Sequence, residues 1–484
     1  MSDHRNKLQA LFAPENRYPN FGDVLIRLNV QGFRCHQSTI VDIESPLTAF
    51  CGLNGTGKST LLQLAAAAYR NVSGGPNRYY VRDFIVSGIL DPAPFSPDAS
   101  IEYGYWQEDR STRRVTITRS DPEKRWRGYK RQPERPVYFA GMGLYLPKVE
   151  IRDFFVRNAS KLSVMSSESV SDASKQRVAR ILGCSYDSME ANTVNHAGRT
   201  CEVVTVHRAG SVYSEANMGC GEGRAQHITR VLETLPDNSL VLLEEPETSL
   251  HPSAQHEFGR YLIDICIEKH HQIMITTHSE YLLTALPSAS RIYIDRTPSG
   301  LRLIKGITTA QAISLMTGGH DKALSVLVED DVADAVLGEI LRRSDPSFLR
   351  TVRVCKGGDT KAIHSIMMAL RETGLPVAAV RDGDKEASPA DNIFKLPGDL
   401  APEQAILTTD AVRDYLVSQY GLDLNDFLAG ASETNHHEWF GKLAESLSVS
   451  RQGLILDLAR VYVSHLPQNE VDTLTTLLKE SIRR

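Results

Sequence analysis

The chain contains no apolar run approaching the length of about 20 residues that a membrane-spanning helix requires. That excludes a membrane-spanning helix and leads us to expect no membrane partner. The N-terminus, MSDHRNKLQALFAPENRYPN, lacks the apolar stretch of a secretory signal. The seven cysteines, Cys35, Cys51, Cys184, Cys201, Cys220, Cys266 and Cys355, form no Cys-x-x-Cys pair. This excludes a disulfide framework and a cysteine-type zinc site, and predicts free thiols in a reducing compartment, the cytoplasm. A basic overall field is also missing, because the formal net charge is −5. DNA binding therefore needs a local basic surface. One stretch offers it: Arg110, Arg113, Arg114, Arg119, Lys124, Arg125, Arg127, Lys130, Arg131 and Arg135, with Trp126 and Tyr129 as rings for stacking. The alternative is a solvated hairpin and loop.

What is present begins with size. A length of 484 residues is too great for one core and predicts roughly two to four units. Hydrophobic content of 41% and charged content of 23% place the chain among globular proteins and exclude a disordered one.

Leu47–Cys51 (LTAFC) reads as a buried strand, and Thr60–Tyr69 (TLLQLAAAAY) as a helix. Between them lies Gly52-Leu53-Asn54-Gly55-Thr56-Gly57-Lys58-Ser59, which is G-x-x-x-x-G-K-[ST] in the strand-to-helix context that gives it meaning. Glycines let successive backbone N–H groups converge on one anion, and the helix N-terminus adds a favourable dipole. Lys58 is expected to neutralise β/γ-phosphate charge and Ser59 to ligate Mg²⁺. Asn54, Gly55, Thr56, Gly57, Lys58, Ser59 and Thr60 are thus the expected ATP contacts.

A second apolar run, Ser239–Leu243, ends in Glu244-Glu245-Pro246-Glu247. Carboxylates at such a strand end sit beside bound phosphate in doubly wound folds. Glu244 is assigned to the metal and Glu245 to the attacking water. A third run, Gln272–Thr277, is followed by His278, placed to sense the γ-phosphate. Met218–Gly223 precedes a helix expected over Arg224–Leu235, so Gly221 and Glu222 join the candidate nucleotide contacts. Gln107 is a further candidate for positioning water.

In order, these motifs resemble the ABC-type ATPases related to SMC and RecF proteins. Asn54–Thr60 matches that family's phosphate loop. Glu245-Pro246-Glu247-Thr248-Ser249-Leu250-His251-Pro252 resembles the branch that includes the OLD nucleases. The resemblance implies a homodimer or higher oligomer with ATP sandwiched between heads, each turn at Met218–Glu222 completing the opposite subunit's site. Two departures stand out. Gly219 replaces the usual Ser, and Glu244 stands where Asp is commoner, so turnover is expected to be slow. The resemblance covers about residues 20–310, apart from a segment at about 71–216. There no heptad run appears, which excludes a long coiled-coil arm, and the rest of the first lobe plus a helical insertion is expected.

Past residue 310 a strand-helix alternation restarts: strands at Leu324–Val328, Thr351–Cys355 and Pro376–Val380, helices at Asp334–Arg343 and Lys361–Glu372. Glu329, Asp382 and Asp384 fall at strand ends, where hard oxygen ligands suit Mg²⁺ and two-metal phosphodiester chemistry. The arrangement resembles a Toprim domain, the catalytic module of topoisomerases, primases and OLD nucleases. The usual Gly after the first Glu and Asp four positions on are here Asp330 and Ala333. Asp331 or Asp334 are the candidate substitutes, Glu403 a later ligand, and Lys361 and Lys385 candidates for charge neutralisation. The tail is expected to be helical over Ala411–Tyr420, Leu454–Ser464 and Val471–Arg484. His436-His437 is read as a polar pair at the surface or an interface, because adjacent side chains diverge on a helix.

The expected architecture is therefore α/β: an ABC-type ATPase head over 1–310, a small parallel Toprim-like domain over 311–410, and a helical region over 411–484. Three functions compete. One is an OLD- or Gabija-like ATPase of bacterial anti-phage defence that cuts DNA with its own Toprim-like site. The next is a regulatory ATPase with a degenerate Toprim-like unit controlling a partner nuclease, as in Septu-type pairs. The last is a RecF-type repair clamp, against which Asp382 and Asp384 count.

Overall fold

The computed structural model describes residues 2–70, 78–120, 125–146, 153–430 and 435–482. The chain divides into two compact units, Met1–Thr309 and Ala310–Arg484.

The first unit is built on a six-stranded sheet in the order Gly300–Lys305, Arg291–Thr297, Leu47–Cys51, Gln272–Thr276, Leu240–Glu244, Val137–Ala140. All neighbours run parallel except the outermost hairpin of Gly300–Lys305 on Arg291–Thr297. The central strands Leu47–Cys51 and Gln272–Thr276 are buried along their whole length, as strands covered on both faces must be. Their apolar runs, not alternation, are what the sequence displays.

A five-stranded antiparallel sheet, ordered His36–Asp42, Leu25–Phe33, Phe95–Trp106, Thr112–Ser120, Arg125–Arg127, closes over the helix Lys58–Ala66. That helix is apolar nearly all round, with Leu61, Leu62, Leu64, Ala65 and Ala66 within 1% of complete burial. Burying its C-terminal turn leaves carbonyls that need donors. The Tyr103 hydroxyl donates to Leu64 O at 2.8 Å, the Tyr105 hydroxyl to Ala68 O, and Gln132 Nε2 to Ala67 O at 2.5 Å.

The expected helical insertion is instead mostly β. Ser163–Ser169, Ser188–His196, Arg199–Arg208 and Ser211–Ser214 form a four-stranded antiparallel sheet with one helix, Asp172–Leu182, beside it. The first of these strands is exposed at every residue, so no hydrophobic alternation announces it. Its hairpins turn on Ala197-Gly198 and Ala209-Gly210, all four residues at positive φ. The usual two-residue turn signal has Asn or Asp at the first position.

The second unit has a parallel sheet ordered Val352–Lys356, Leu324–Val328, Val377–Arg381, Ile393–Lys395. One face packs on the helix Asp331–Ser344 and the tail: Val326, Val328, Val336 and Ile340 share a core with Val412, Leu416, Phe440, Leu458, Val471 and Leu478. The tail helices are thus integral to this unit. On the other face Leu327, Ala379 and Ile393 meet Ile363 and Met367 of the helix Thr360–Glu372.

Candidate nucleotide site and carboxylate cluster

The buried strand Leu47–Cys51 delivers the loop at Gly52, whose φ is 142° and where a Cβ would lie 2.5 Å from Ile294 O. At the far end Gly57 has φ 84° and precedes the first turn of Lys58–Ala66. A Cβ there would lie 2.2 Å from His36 Nε2 and 2.6 Å from Cys35 Sγ. Both positions admit only glycine. Lys58 Nζ donates to the carbonyls of Gly52 and Leu53, each at 2.9 Å, so the ammonium sits inside the curl. Burial pulls its pKa below the usual lysine value, and the charge of Glu245 opposes that. The Thr56 hydroxyl closes the turn onto Leu53 O at 2.8 Å.

His36 escaped the sequence analysis. Its ring is fully buried, Nε2 lies 3.0 Å from Gly57 O, and Nδ1 lies 3.1 Å from Thr39 Oγ1. A carbonyl only accepts, so the proton is on Nε2 and Nδ1 accepts from Thr39. Burial lowers the His36 pKa, which keeps the ring neutral in that role. The contact spans the hairpin of Leu25–Phe33 and His36–Asp42, and no local motif announces it.

Glu244 ends the strand Leu240–Glu244 and shares a hydrogen bond with Ser59. Burial raises its pKa, and its Oε1 has no partner. A serine hydroxyl and a half-desolvated carboxylate oxygen side by side form a hard-oxygen pair that fits Mg²⁺. Glu245 follows in the left-handed region at φ 43°, a conformation a non-glycine residue holds at a cost of about 1–3 kcal/mol. Its N–H donates to Thr276 O at 3.1 Å. His278 Nε2 lies 3.5 Å from Glu245 Oε1, beyond a good hydrogen bond. Burial and then the charge of Lys58 lower the His278 pKa, while Glu245 raises it. Lys58, Glu245 and His278 therefore occupy one electrostatic neighbourhood. Glu247, 5% exposed, accepts from the Thr277 hydroxyl, and burial pushes its pKa up to about 7.

Gly219 caps the helix Cys220–Thr234. A Cβ at Gly221 would lie 2.5 Å from Ser249 O, so this helix start abuts the loop after the acidic strand. Arg224 strengthens that junction by donating to Pro246 O at 3.2 Å and Glu245 O at 3.3 Å. Glu222 Oε1 is engaged inside its own lobe, by Tyr186 Oη at 2.6 Å and Tyr213 Oη at 2.9 Å.

Two expectations fail. Gln107 bonds Asp23 Oδ1 at 2.8 Å, and Asp23 O accepts from Tyr69 at the C-terminal end of the phosphate-loop helix. Lys58 is at the opposite end, so Gln107 positions nothing there. In the basic stretch the rings are already packed. Trp126 stacks on Phe33 at 5.4 Å, and Tyr129 meets Tyr80 edge-on at 5.2 Å. Arg135 is buried and donates to Phe21 O. Arg110, Arg114, Arg125, Arg127, Lys130 and Arg131 remain exposed, and Lys124 lies outside the described residues. Arg119, Arg125, Trp126 and Tyr129 line a cavity of about 750 Å³.

In the second unit, neighbouring parallel strands bring Glu329 and Asp382 together. Asp382 is 3% exposed and Glu403 1%. Glu329 Oε1, Asp382 Oδ1 and Glu403 Oε2 all lack a hydrogen-bond partner. Burial first, then repulsion from Glu329, Asp330, Glu403 and Asp384, pushes the Asp382 pKa up to about 7. Burial also raises that of Glu329, against the pull of Lys385. Lys385 bonds Asp384 at 2.8 Å at the exposed rim.

The proposed substitutes on the following helix lie elsewhere. Asp330 Oδ1 caps the helix by accepting from Val332 N and Ala333 N, both at 2.9 Å. Asp331 is paired with Lys356 and with Arg451. Asp334 lines a groove with Asp331 and Lys356. Lys361 is exposed in the first turn of its helix. The reading of His436 and His437 also changes: a short 3₁₀ turn, His436–Glu438, holds the two rings 4.0 Å apart, and His437 Nδ1 lies 2.9 Å from Glu403 Oε1.

Among the described residues no helix is long and apolar enough to cross a membrane. Compared with known proteins, residues 27–200 match the model of an AAA domain and residues 190–283 that of an AAA ATPase domain. The first range contains the phosphate loop, the second Glu244, Glu245 and His278. Over 118 residues the chain is 26% identical to protein ea59 of Escherichia phage lambda, a match spanning 22% of each chain. Similar solved structures include the SMC head domain from Thermotoga maritima, 14% identical at a TM-score of 0.36, covering 58% of this chain and 98% of that one. Another is the Smc head domain bound to the C-terminal domain of ScpA, derived from Pyrococcus furiosus, 11% identical at a TM-score of 0.39, covering 60% and 98%. The two family matches support an ATPase domain of the AAA type in this chain.

Proposed function

We propose that this chain is an ATP-regulated homodimer that cuts DNA with a Toprim-like site in its second unit, in a bacterial anti-phage role. The observation that carries the nuclease reading is the meeting of Glu329 and Asp382, each with an unpartnered oxygen and Asp382 almost wholly buried. Burying carboxylates without partners is costly, and a divalent cation offsets that cost. Mg²⁺ held there would supply Lewis-acid activation of water and charge neutralisation at a phosphodiester. Asp384 at the rim completes the set, and Lys385 lies where developing negative charge needs a cation.

In the first unit Ser59 and Glu244 hold Mg²⁺, Lys58 neutralises phosphate charge, Glu245 orients water and His278 reads the γ-phosphate. The turn at Gly219–Glu222 serves the opposite protomer. The exposed arginines of Thr112–Ser120 and Arg125–Arg127 supply the local basic surface for DNA.

A second reading has its own support. Asp330 is committed to capping and Asp331 to ion pairs, and position 333 is a buried alanine. Asp330 Oδ1 and Asp331 are therefore already engaged, which favours a regulatory ATPase acting on a partner nuclease. Plasmid nicking separates the two. With Mg²⁺ or Mn²⁺, with and without ATP, the nuclease reading expects metal-dependent nicks that Asp382→Ala abolishes. No cleavage at any metal concentration, with a stable complex to another protein, overturns it in favour of the regulatory reading.

A further inference from the structure

Outside the all-oxygen set of Glu329, Asp382 and Asp384, a different donor set is assembled. Glu403 stands in the first turn of the helix Pro402–Thr408 and is 1% exposed. One of its oxygens, Oε1, meets His437 Nδ1 at 2.9 Å, and the other has no partner. His436 is the next residue on the 3₁₀ turn, capped by the side chain of Asn435, which accepts from His437 N at 3.3 Å. Successive side chains on a 3₁₀ turn are set about 120° apart, yet these two rings lie 4.0 Å centroid to centroid. One ligand atom from each of Glu403, His436 and His437 falls within 4.8 Å of the others.

We infer that Glu403, His436 and His437 form a site for a borderline divalent transition metal of the zinc class. Two imidazoles and one carboxylate are a donor set that zinc takes with a fourth, open position. Bonds of about 2.0–2.1 Å from a tetrahedral ion hold its ligands roughly 3.4 Å apart, within the spread seen. Mg²⁺ prefers oxygen alone, so the two neighbouring sets select different ions. The unpartnered Glu403 oxygen is the second sign of a ligand: a hydrogen bond to His437 alone satisfies one oxygen and leaves the other buried without a partner. The ion would fasten the turn His436–Glu438 to the helix Pro402–Thr408. This inference does not depend on the nuclease reading.

The test is zinc titration of the full chain after chelation and dialysis, followed by calorimetry, with Co²⁺ absorption reporting nitrogen ligation. One Zn²⁺ per chain is expected, with at least tenfold weaker binding in His436→Ala and in His437→Ala. Asp384→Asn is expected to bind zinc as the parent does. Because His436 and His437 are not buried, their alanine variants fold, and zinc should raise the melting temperature of the parent but not of His436→Ala. Absence of zinc binding, or unchanged affinity in both histidine variants, overturns the site and leaves a Glu403–His437 ion pair. Binding lost in Asp384→Asn but kept in the histidine variants also overturns it, by moving the ion to the oxygen cluster.

Discussion

Gly57→Ala tests the loop without touching a side chain that contacts nucleotide. At φ 84° an alanine strains the backbone by about 1–2 kcal/mol. Its Cβ would also lie 2.2 Å from His36 Nε2 and 2.6 Å from Cys35 Sγ, so His36 must leave Gly57 O and forfeit a hydrogen bond worth about 1 kcal/mol. Together these amount to about 2–3 kcal/mol, or a loss of roughly 30- to 150-fold in ATP affinity if the strain falls on the bound loop. His36→Ala alone should weaken binding by about fivefold to tenfold, through the orphaned carbonyl. In the double variant the His36 clash is gone, so its loss should be smaller than the sum, with a coupling of about 1 kcal/mol. Equilibrium binding of a fluorescent ATP analogue, with melting curves to confirm folding, measures all three. Parent-like affinity in Gly57→Ala, or strict additivity in the double variant, would refute the claim that His36 sets the loop.

Four other outcomes follow. Glu245→Gln should retain ATP binding and lose at least a hundredfold in hydrolysis, read by phosphate release; unchanged turnover removes Glu245 from its role. His278→Ala should slow hydrolysis about tenfold with little change in affinity, since its ring lies beside Glu245. Asp382 titrates near 7 in the folded chain and at its ordinary lower value unfolded, so its contribution to stability falls as pH rises from about 4 to about 7 and is flat above. Asp382→Asn should accordingly gain up to about 4 kcal/mol over the parent at pH 8 and little at pH 4, by urea unfolding without metal; an equal effect at both contradicts the burial argument. Asp331→Ala, which breaks the pairs with Lys356 and Arg451, should cost under about 1 kcal/mol and leave any nicking intact, because these groups are exposed.

The sequence was most legible where one residue type has one physical use. Leu47–Cys51, Gln272–Thr276 and Leu324–Val328 announce themselves because a strand buried on both faces must be apolar throughout. Gly57 and Lys58 are legible because an anion-binding curl admits few substitutes. The sheet from Ser163 to Ser214 was not, since its edge strand is polar and its turns use Ala-Gly. Trp126 and Tyr129 misled because composition does not say whether a ring faces water or Phe33 and Tyr80. His36, Glu403 and His437 are joined by tertiary contacts across 21 and 34 residues, beyond the reach of any local pattern. The His436 and His437 rings lie together, not divergent, because a capped 3₁₀ turn stands where a helix is expected.

The central claim is that the Gly52–Ser59 curl clasps ATP with Mg²⁺ on Ser59 and Glu244. A crystal structure of the chain grown with a non-hydrolysable ATP analogue and Mg²⁺ tests it most directly. The account predicts the β-phosphate within the curl, Lys58 swung from Gly52 O towards the phosphates, and the ion between Ser59 Oγ and Glu244. A nucleotide bound elsewhere, or a curl still closed around Lys58 at saturating analogue, would contradict it.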